Sequence, residues 1–212
     1  VPEPVLITYE GIEESGKTTH SKRLYRYLAN KKLPVLWTFE PGGNAHLDEV
    51  RKILLDEVPD LPIYCELMLF LADRSYHYNN VIRPHLEKPG VVICDRYVDS
   101  TVAYQGFGRG VDVKLVRELN ARVVYDRMPD LTVLIDISGE LAGRRLDISQ
   151  IRDRIEAENI AFFERVRKGY LLEAERFKER FLVLDGLGPL IANELRARER
   201  ALQVLRANGW EV

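Results

Sequence analysis

Residues 11–18, Gly-Ile-Glu-Glu-Ser-Gly-Lys-Thr, constrain this chain more than any other stretch. They fit the pattern G-x-x-x-x-G-K-[ST] between an apolar run, Val5–Tyr9, and a helical stretch opening with Thr19-His20-Ser21-Lys22. In that strand–loop–helix setting the pattern wraps phosphates. Gly11 and Gly16 allow backbone angles and a close approach that a side chain would block. The N–H groups of the loop and of the helix start then face the anion. Lys17 neutralises the β and γ oxygens, and the Thr18 hydroxyl can ligate Mg²⁺. A nucleoside triphosphate is therefore expected along Gly11, Ile12, Glu13, Glu14, Ser15, Gly16, Lys17, Thr18 and Thr19. Glu13 and Glu14 are unusual beside a triphosphate. Glu13 is expected to organise basic groups or metal waters, and Glu14 to point into solvent.

The rest of the pattern extends this unit into an α/β fold. The runs Val5–Tyr9, Val35–Phe39, Val91–Cys94, Leu131–Ile135 and Phe181–Leu184 read as buried strands. Helices are expected over 16–31, 46–57, 62–87, 112–126, 155–180 and 190–207. The alternation implies a five-stranded parallel sheet covered on both faces. Ligands then bind at the carboxyl ends of the strands. With 212 residues, a single domain is expected.

Composition excludes little beyond this. Hydrophobic residues make up 46%, charged residues 30%, and the net charge is −2. Nothing in that charge suggests a nucleic-acid or anionic-membrane partner. Apolar runs fall well short of the roughly 18 residues of a spanning helix, and the N-terminal residues show no signal-peptide pattern, so a cytoplasmic location is expected. Cys65 and Cys94 read as structural. The four histidines and the cysteines lack metal-ligand spacing, so no structural zinc is expected.

Val91–Cys94 runs into Asp95-Arg96. A carboxylate there orders Mg²⁺, directly or through water. A GTPase would need a guanine-specifying Asn-Lys-x-Asp segment, and Asn30-Lys31-Lys32-Leu33 lacks the Asp. A phosphotransferase needs a second anion site rich in arginine and a basic lid. The stretch from Asp95 to Gly110 contains Asp-Arg-Tyr, Ser100 and Ala-Tyr-Gln-Gly in order. It resembles the signature of thymidylate kinases. Tyr9-Glu10-Gly11, Glu40-Pro41-Gly42-Gly43, Phe70-Leu-Ala-Asp-Arg74, Pro129-Asp130-Leu131-Thr132 and Asp153-Arg154-Ile155-Glu156 also resemble that family, over about residues 4–186.

The resemblance implies a phosphate-loop kinase fold with a short lid, near 139–155, and transfer of the γ-phosphoryl of ATP to dTMP with Mg²⁺. It implies that Phe70 stacks on thymine while Arg74 and Gln105 address its edge. Phe70 and Arg74, four apart, share a helix face. Arg96, Ser100 and Arg51 are implied at the acceptor nucleotide, with Arg51 also readable as a solvated helix residue. Tyr104 is expected against the sugar, disfavouring a ribose 2′-OH. The lid holds Arg144, Arg145, Arg152 and Arg154, of which Arg145 and Arg154 rank first as catalytic beside Lys17, Glu13 and Arg96. Glu14 stands where some relatives carry a loop arginine, which shifts that charge to the lid. Phe39 and Asn44 depart from the common Arg and Thr. Relatives are usually homodimers. A kinase for another nucleoside monophosphate, and a phosphate-loop protein that binds ATP without transfer, are the alternatives.

Overall fold

The computed structural model describes residues 1–58, 60–149 and 153–212, with the side chains of 56, 57, 148 and 149 left aside. The strands β1 (Val5–Glu10), β2 (Val35–Phe39), β3 (Val91–Asp95), β4 (Leu131–Asp136) and β5 (Phe181–Asp185) form one sheet in the order β2-β3-β1-β4-β5. All four pairings are parallel. Each strand end lies within a residue of the expected one, and the aspartates Asp95, Asp136 and Asp185 close three of them. The register sets Tyr9 and Phe39 beside Asp95, so the phosphate loop, the 40–43 loop and Arg96 leave the sheet at one edge.

The helices are α1 (Lys17–Asn30), α2 (Asp48–Lys52), α3 (Ile63–His77), α4 (Arg83–Leu86), α5 (Val98–Thr101), α6 (Val113–Val123), α7 (Gly139–Ser149), α8 (Ile160–Arg176) and α9 (Leu190–Ala207). Alternation along β1 divides the core. Val5, Ile7 and Tyr9 pack with Leu24 and Leu28 of α1 and Ala197 and Ala201 of α9. Leu6 faces the other way, onto Tyr78, Ile82 and Val98. Both faces are thereby dry, as a parallel sheet requires.

The helical regions differ from expectation at several points, and the stretch 46–57 divides into a 3-10 turn (Ala45–Leu47), α2 and a π turn (Ile53–Glu57). The stretch 62–87 is continuous but loosens to a π turn over Tyr78–Ile82. Pro84 follows and has no N–H to give to the turn before it. The Asp95–Gly110 segment is helical through α5 and a π-helix over Val102–Gly108. The last long helix starts at Ile160 instead of 155, capped by Asn159. Ahead of it, the Asp153 carboxylate takes the N–H groups of Ile155 and Glu156 into a turn. The expected lid is largely α7, which seats Ala142 and Leu146 in a core with Phe162 and Phe163 of α8. Residues 150–152, Arg152 among them, lie outside the described residues. The cysteines differ from one another: Cys94 is buried in β3, while Cys65 is exposed on the outer face of α3.

Candidate active site

A cleft of about 640 Å³ opens at the carboxyl edge of the sheet. One end is the phosphate loop. Gly11 has φ +147°, and a Cβ there would stand 2.6 Å from the Ile135 carbonyl oxygen. Gly16, at φ +89°, precedes α1 without a side-chain cap. By contrast Asp112 and Asn159 cap α6 and α8 with their side chains. The first-turn N–H groups of α1 are thus left for an anion. Lys17 Nζ reaches back to the Ile12 carbonyl at 3.2 Å. Burial, then Arg96 nearby, lowers its pKa.

Behind the loop the Thr18 hydroxyl donates to Asp95 Oδ2. Among the described residues, Asp95 Oδ1 and Ser15 Oγ are buried with no protein partner. Buried polar atoms are rarely left so. A hydroxyl, a free carboxylate oxygen and a neighbouring phosphate site form the all-oxygen donor set that Mg²⁺ with its waters takes.

Arg96 forms the centre of the cleft in the left-handed region, φ +69°. Its Nη2 donates to Glu13 Oε1 at 2.6 Å and to Tyr104 Oη at 3.2 Å. Its Nη1 reaches the Gly11 carbonyl at 3.2 Å and Ser100 Oγ at 3.3 Å. Tyr104 Oη also donates to Glu13, at 2.5 Å. Glu13 thus holds a cation and a phenol, whereas the Glu14 side chain is exposed. The unusual backbone of Arg96 is secured by Glu10. That carboxylate accepts from Tyr97 N at 2.7 Å, Ser100 Oγ at 2.6 Å and Tyr170 Oη at 2.9 Å. Burial, with Asp99 close by, pushes the Glu10 carboxyl up to about 7.

The far end of the cleft is lined by Phe70, Arg74 and Gln105. Arg74 is 2% exposed. It donates to Glu40 Oε2 at 2.8 Å, Thr101 Oγ1 at 2.5 Å, Asn120 Oδ1 at 2.6 Å and Tyr97 O at 2.9 Å. A guanidinium has five N–H groups, so among the described residues one is left without an acceptor on a side chain that lines the cleft. Arg51 also lines it, bonded to the Pro41 carbonyl and lying 5.6 Å from the Phe39 ring centre. Phe39 therefore serves as a platform for Arg51.

The lid arginines separate. Arg145 donates to the Glu14 carbonyl at 2.7 Å, over the phosphate loop. Arg144 pairs with Glu140 on the exposed side of α7. Arg154 faces away: its Nη1 pairs with Glu66 at 2.6 Å and its Nε donates to the Leu54 carbonyl at 2.9 Å. Its described contacts lie on the wall behind Gln105 and not on the loop.

The sequence assigns no role to Glu10, Glu66 or Tyr170, although Glu10 falls within the Tyr9-Glu10-Gly11 segment. Glu66 was within reach, since it stands four residues before Phe70 and eight before Arg74, on their helical face. Tyr170 carries no such signal.

Beneath the 40–43 loop, Glu40, His77 and Cys94 bring possible ligand atoms within 4.8 Å of one another and could together hold a metal ion. Each is engaged already. Glu40 binds His77 Nδ1 at 2.9 Å as well as Arg74, His77 Nε2 meets Thr38 at 2.6 Å, and Cys94 Sγ donates to the Arg96 carbonyl. A metal would have to displace these bonds.

Asp73, 1% exposed, accepts from Gly42 N at 2.9 Å beside this group. Burial, then the Glu40 charge, pushes its carboxyl up to about 7. A carboxyl raised in the folded state binds protons that the unfolded chain releases. Its stabilising effect is full below its ordinary value of 3.8 and is lost as pH rises to about 7. Asp73→Asn should remove that loss and keep the Gly42 bond. Thermal melts at pH 5 and 8 should show the variant losing less stability on going to pH 8, by on the order of 1–3 kcal/mol. Identical pH dependence would exclude this account of Asp73.

The comparisons agree with one another. A family model described as thymidylate kinase matches residues 9–194. A thymidylate kinase of Maridesulfovibrio salexigens is 43% identical over 189 residues, covering 85% of this chain and 87% of that protein. One from Clavibacter sepedonicus is 43% identical over 201 residues, covering 93% and 95%. The crystal structure of thymidylate kinase from Ehrlichia chaffeensis superposes with a TM-score of 0.77 at 33% identity, covering 94% of this chain and 99% of that one.

Proposed function

The chain belongs to the thymidylate kinase family and is an ATP-dependent kinase that converts dTMP to dTDP, and we propose how its residues divide that work. The observation that carries the reading is one cleft with a phosphate loop at one end, a half-buried aromatic with a buried guanidinium and amide at the other, and Arg96 between them.

The acceptor is a phosphate monoester with a second pKa near 6, so at neutral pH it is largely dianionic and needs no general base. The work is to bring two anions together and to stabilise charge in transit. The loop N–H groups and Lys17 hold the donor phosphates. Arg96 lies between the loop and the acceptor side, and Glu13 fixes its guanidinium. Arg51, braced by Pro41 and Phe39, extends the positive wall. Arg145 supplies the lid charge over the loop. Thr18 and Asp95 would hold Mg²⁺, directly or through water, and the ion would neutralise charge on the transferred phosphoryl. Phe70 stacks on the base, while Arg74 and Gln105 read its edge. Tyr104, tied by its hydroxyl to Glu13, packs against the sugar where a 2′-OH would fall, and Ser100 supports Arg96 from below.

We read the 212 residues as one kinase domain with α7 and the following segment as lid. No described helix is long and apolar enough to cross a membrane, and a cytoplasmic location is part of this reading. So is a homodimer: the outer face of α3 exposes Tyr64 at 60% and Met68 at 50%. Side chains of that size on one helix face fit a covered surface better than a wetted one.

A coupled ADP-release assay with ATP, Mg²⁺ and a panel of monophosphates tests the function. Release should depend on dTMP. Because dUMP lacks one methyl, its kcat/KM should be lower by about 10–200-fold. Release without any acceptor would favour an ATPase, and no release a binding module.

A further inference from the structure

Gln105 stands on the base side of the cleft, and a neighbour behind the wall decides which way its amide faces. That neighbour is Glu66 of α3, 1% exposed. Gln105 Nε2 donates to Glu66 Oε1 at 2.7 Å. The same oxygen accepts from Arg109 Nε at 3.2 Å, and Oε2 pairs with Arg154 Nη1 at 2.6 Å. Burial opposes ionisation of Glu66, but the Gln105 amide and the Arg109 and Arg154 guanidinium groups outweigh it and hold the carboxyl below its ordinary value. An ionised carboxylate only accepts hydrogen bonds. The nitrogen end of Gln105 must therefore face Glu66. Among the described residues no donor reaches the oxygen end, and the residue lines the cleft.

We propose that Glu66 is a positioning residue for base choice: it locks Gln105 with its carbonyl toward the cleft, so the cleft selects pyrimidines that carry a hydrogen on ring N3. The proposal rests on the reading of Gln105 as a base contact. Thymine and uracil carry that hydrogen. Cytosine carries a lone pair at N3, which would face the carbonyl oxygen and leave two acceptors buried without a donor. Sites built around a substrate N–H can reject analogues lacking it by about 10⁴–10⁵. Arg154 reaches the same carboxylate from the segment that follows α7, so one acid anchors both the base wall and the far end of the lid.

Glu66→Gln tests this, because a glutamine at 66 can present either end of its amide and frees Gln105 to turn over. The readout is the ratio of kcat/KM for dTMP to that for 5-methyl-dCMP, which share the 5-methyl and differ along the N3–C4 edge. In Glu66→Gln the ratio should narrow by about 30-fold or more, mainly through a lower KM for 5-methyl-dCMP. Glu66→Asp remains acceptor-only and should keep the ratio within about threefold of wild type even where both rates fall. An equal loss on both substrates in Glu66→Gln, with the ratio unchanged, would overturn the proposal. If Glu66→Gln does not fold, the wild-type chain decides by competition with N3-methyl-dTMP. Binding weaker than dTMP by at least about 100-fold supports the proposal, and binding within about tenfold overturns it. A wild-type chain without activity on dTMP would instead defeat the functional reading. Normal dTMP turnover with an unmoved ratio defeats this inference alone.

Discussion

Arg96→Ala should lower kcat by about 10³-fold or more and destabilise the fold in the same stroke. The catalytic loss follows from where the guanidinium sits. In the proposed arrangement it lies between the phosphate loop and the acceptor side, and arginines that stabilise phosphoryl charge in transit are worth about 10³–10⁵ in rate. The stability loss follows from what remains. Glu13 and Arg96 form a pair whose side chains are only 10% and 16% exposed. Removing the cation leaves a carboxylate in a poorly solvated site, a change that costs about 3–5 kcal/mol in buried pairs. Alanine keeps a Cβ in the left-handed region, φ +69°, so the backbone offsets none of that loss. Arg96→Lys should rescue neither quantity, because an ammonium cannot span Glu13, Tyr104, Ser100 and the Gly11 carbonyl with fixed geometry. Thermal melts and steady-state rates at low temperature, where the variant is folded, separate the two effects. A folded Arg96→Ala enzyme within tenfold of wild type would remove Arg96 from the reaction.

The second large effect separates two arginines that sequence ranks together. Among the described residues Arg145 bonds the loop carbonyl of Glu14, whereas Arg154 bonds Glu66 and the Leu54 carbonyl. Arg145→Ala should therefore cost about 10³-fold in kcat with stability within about 0.5 kcal/mol, as for an ordinary surface change. Arg154→Ala should do the reverse. Breaking its buried pair should destabilise by up to about 3–5 kcal/mol, moderated because Arg109 still faces Glu66, while the rate on dTMP falls much less. The opposite ordering of the two variants would show that the lid charge comes from Arg154.

Much of this was legible in the chain because it is local. The phosphate loop is a run of adjacent residues whose backbone does the work, and the strands are short apolar runs ended by Asp95, Asp136 and Asp185. What escaped is what depends on pairing across the fold. Arg154 and Arg145 look alike as letters; only the distance from Glu66, far off in sequence, tells them apart. Glu10 looks like the polar end of a strand until Tyr97, Ser100 and Tyr170 converge on it from two helices. The 98–108 stretch, rich in β-branched and glycine residues, has poor intrinsic helix propensity. Packing of Val102, Ala103 and Tyr104 against α3 and α8 overrides it.

Helix α3 has no idle side. Its inner face supplies Glu66, Phe70, Asp73, Arg74 and His77 to the cleft and the 40–43 loop, while Tyr64, Met68 and Tyr76 look outward. In the language of heritable variation, this rod is a place where drift is expensive. A change tolerated on one face moves a stiff element that the other face also depends on. A deep substitution scan should find α3 far less permissive than α9, whose exposed Leu190, Ile191 and Leu195 end touches none of the cleft.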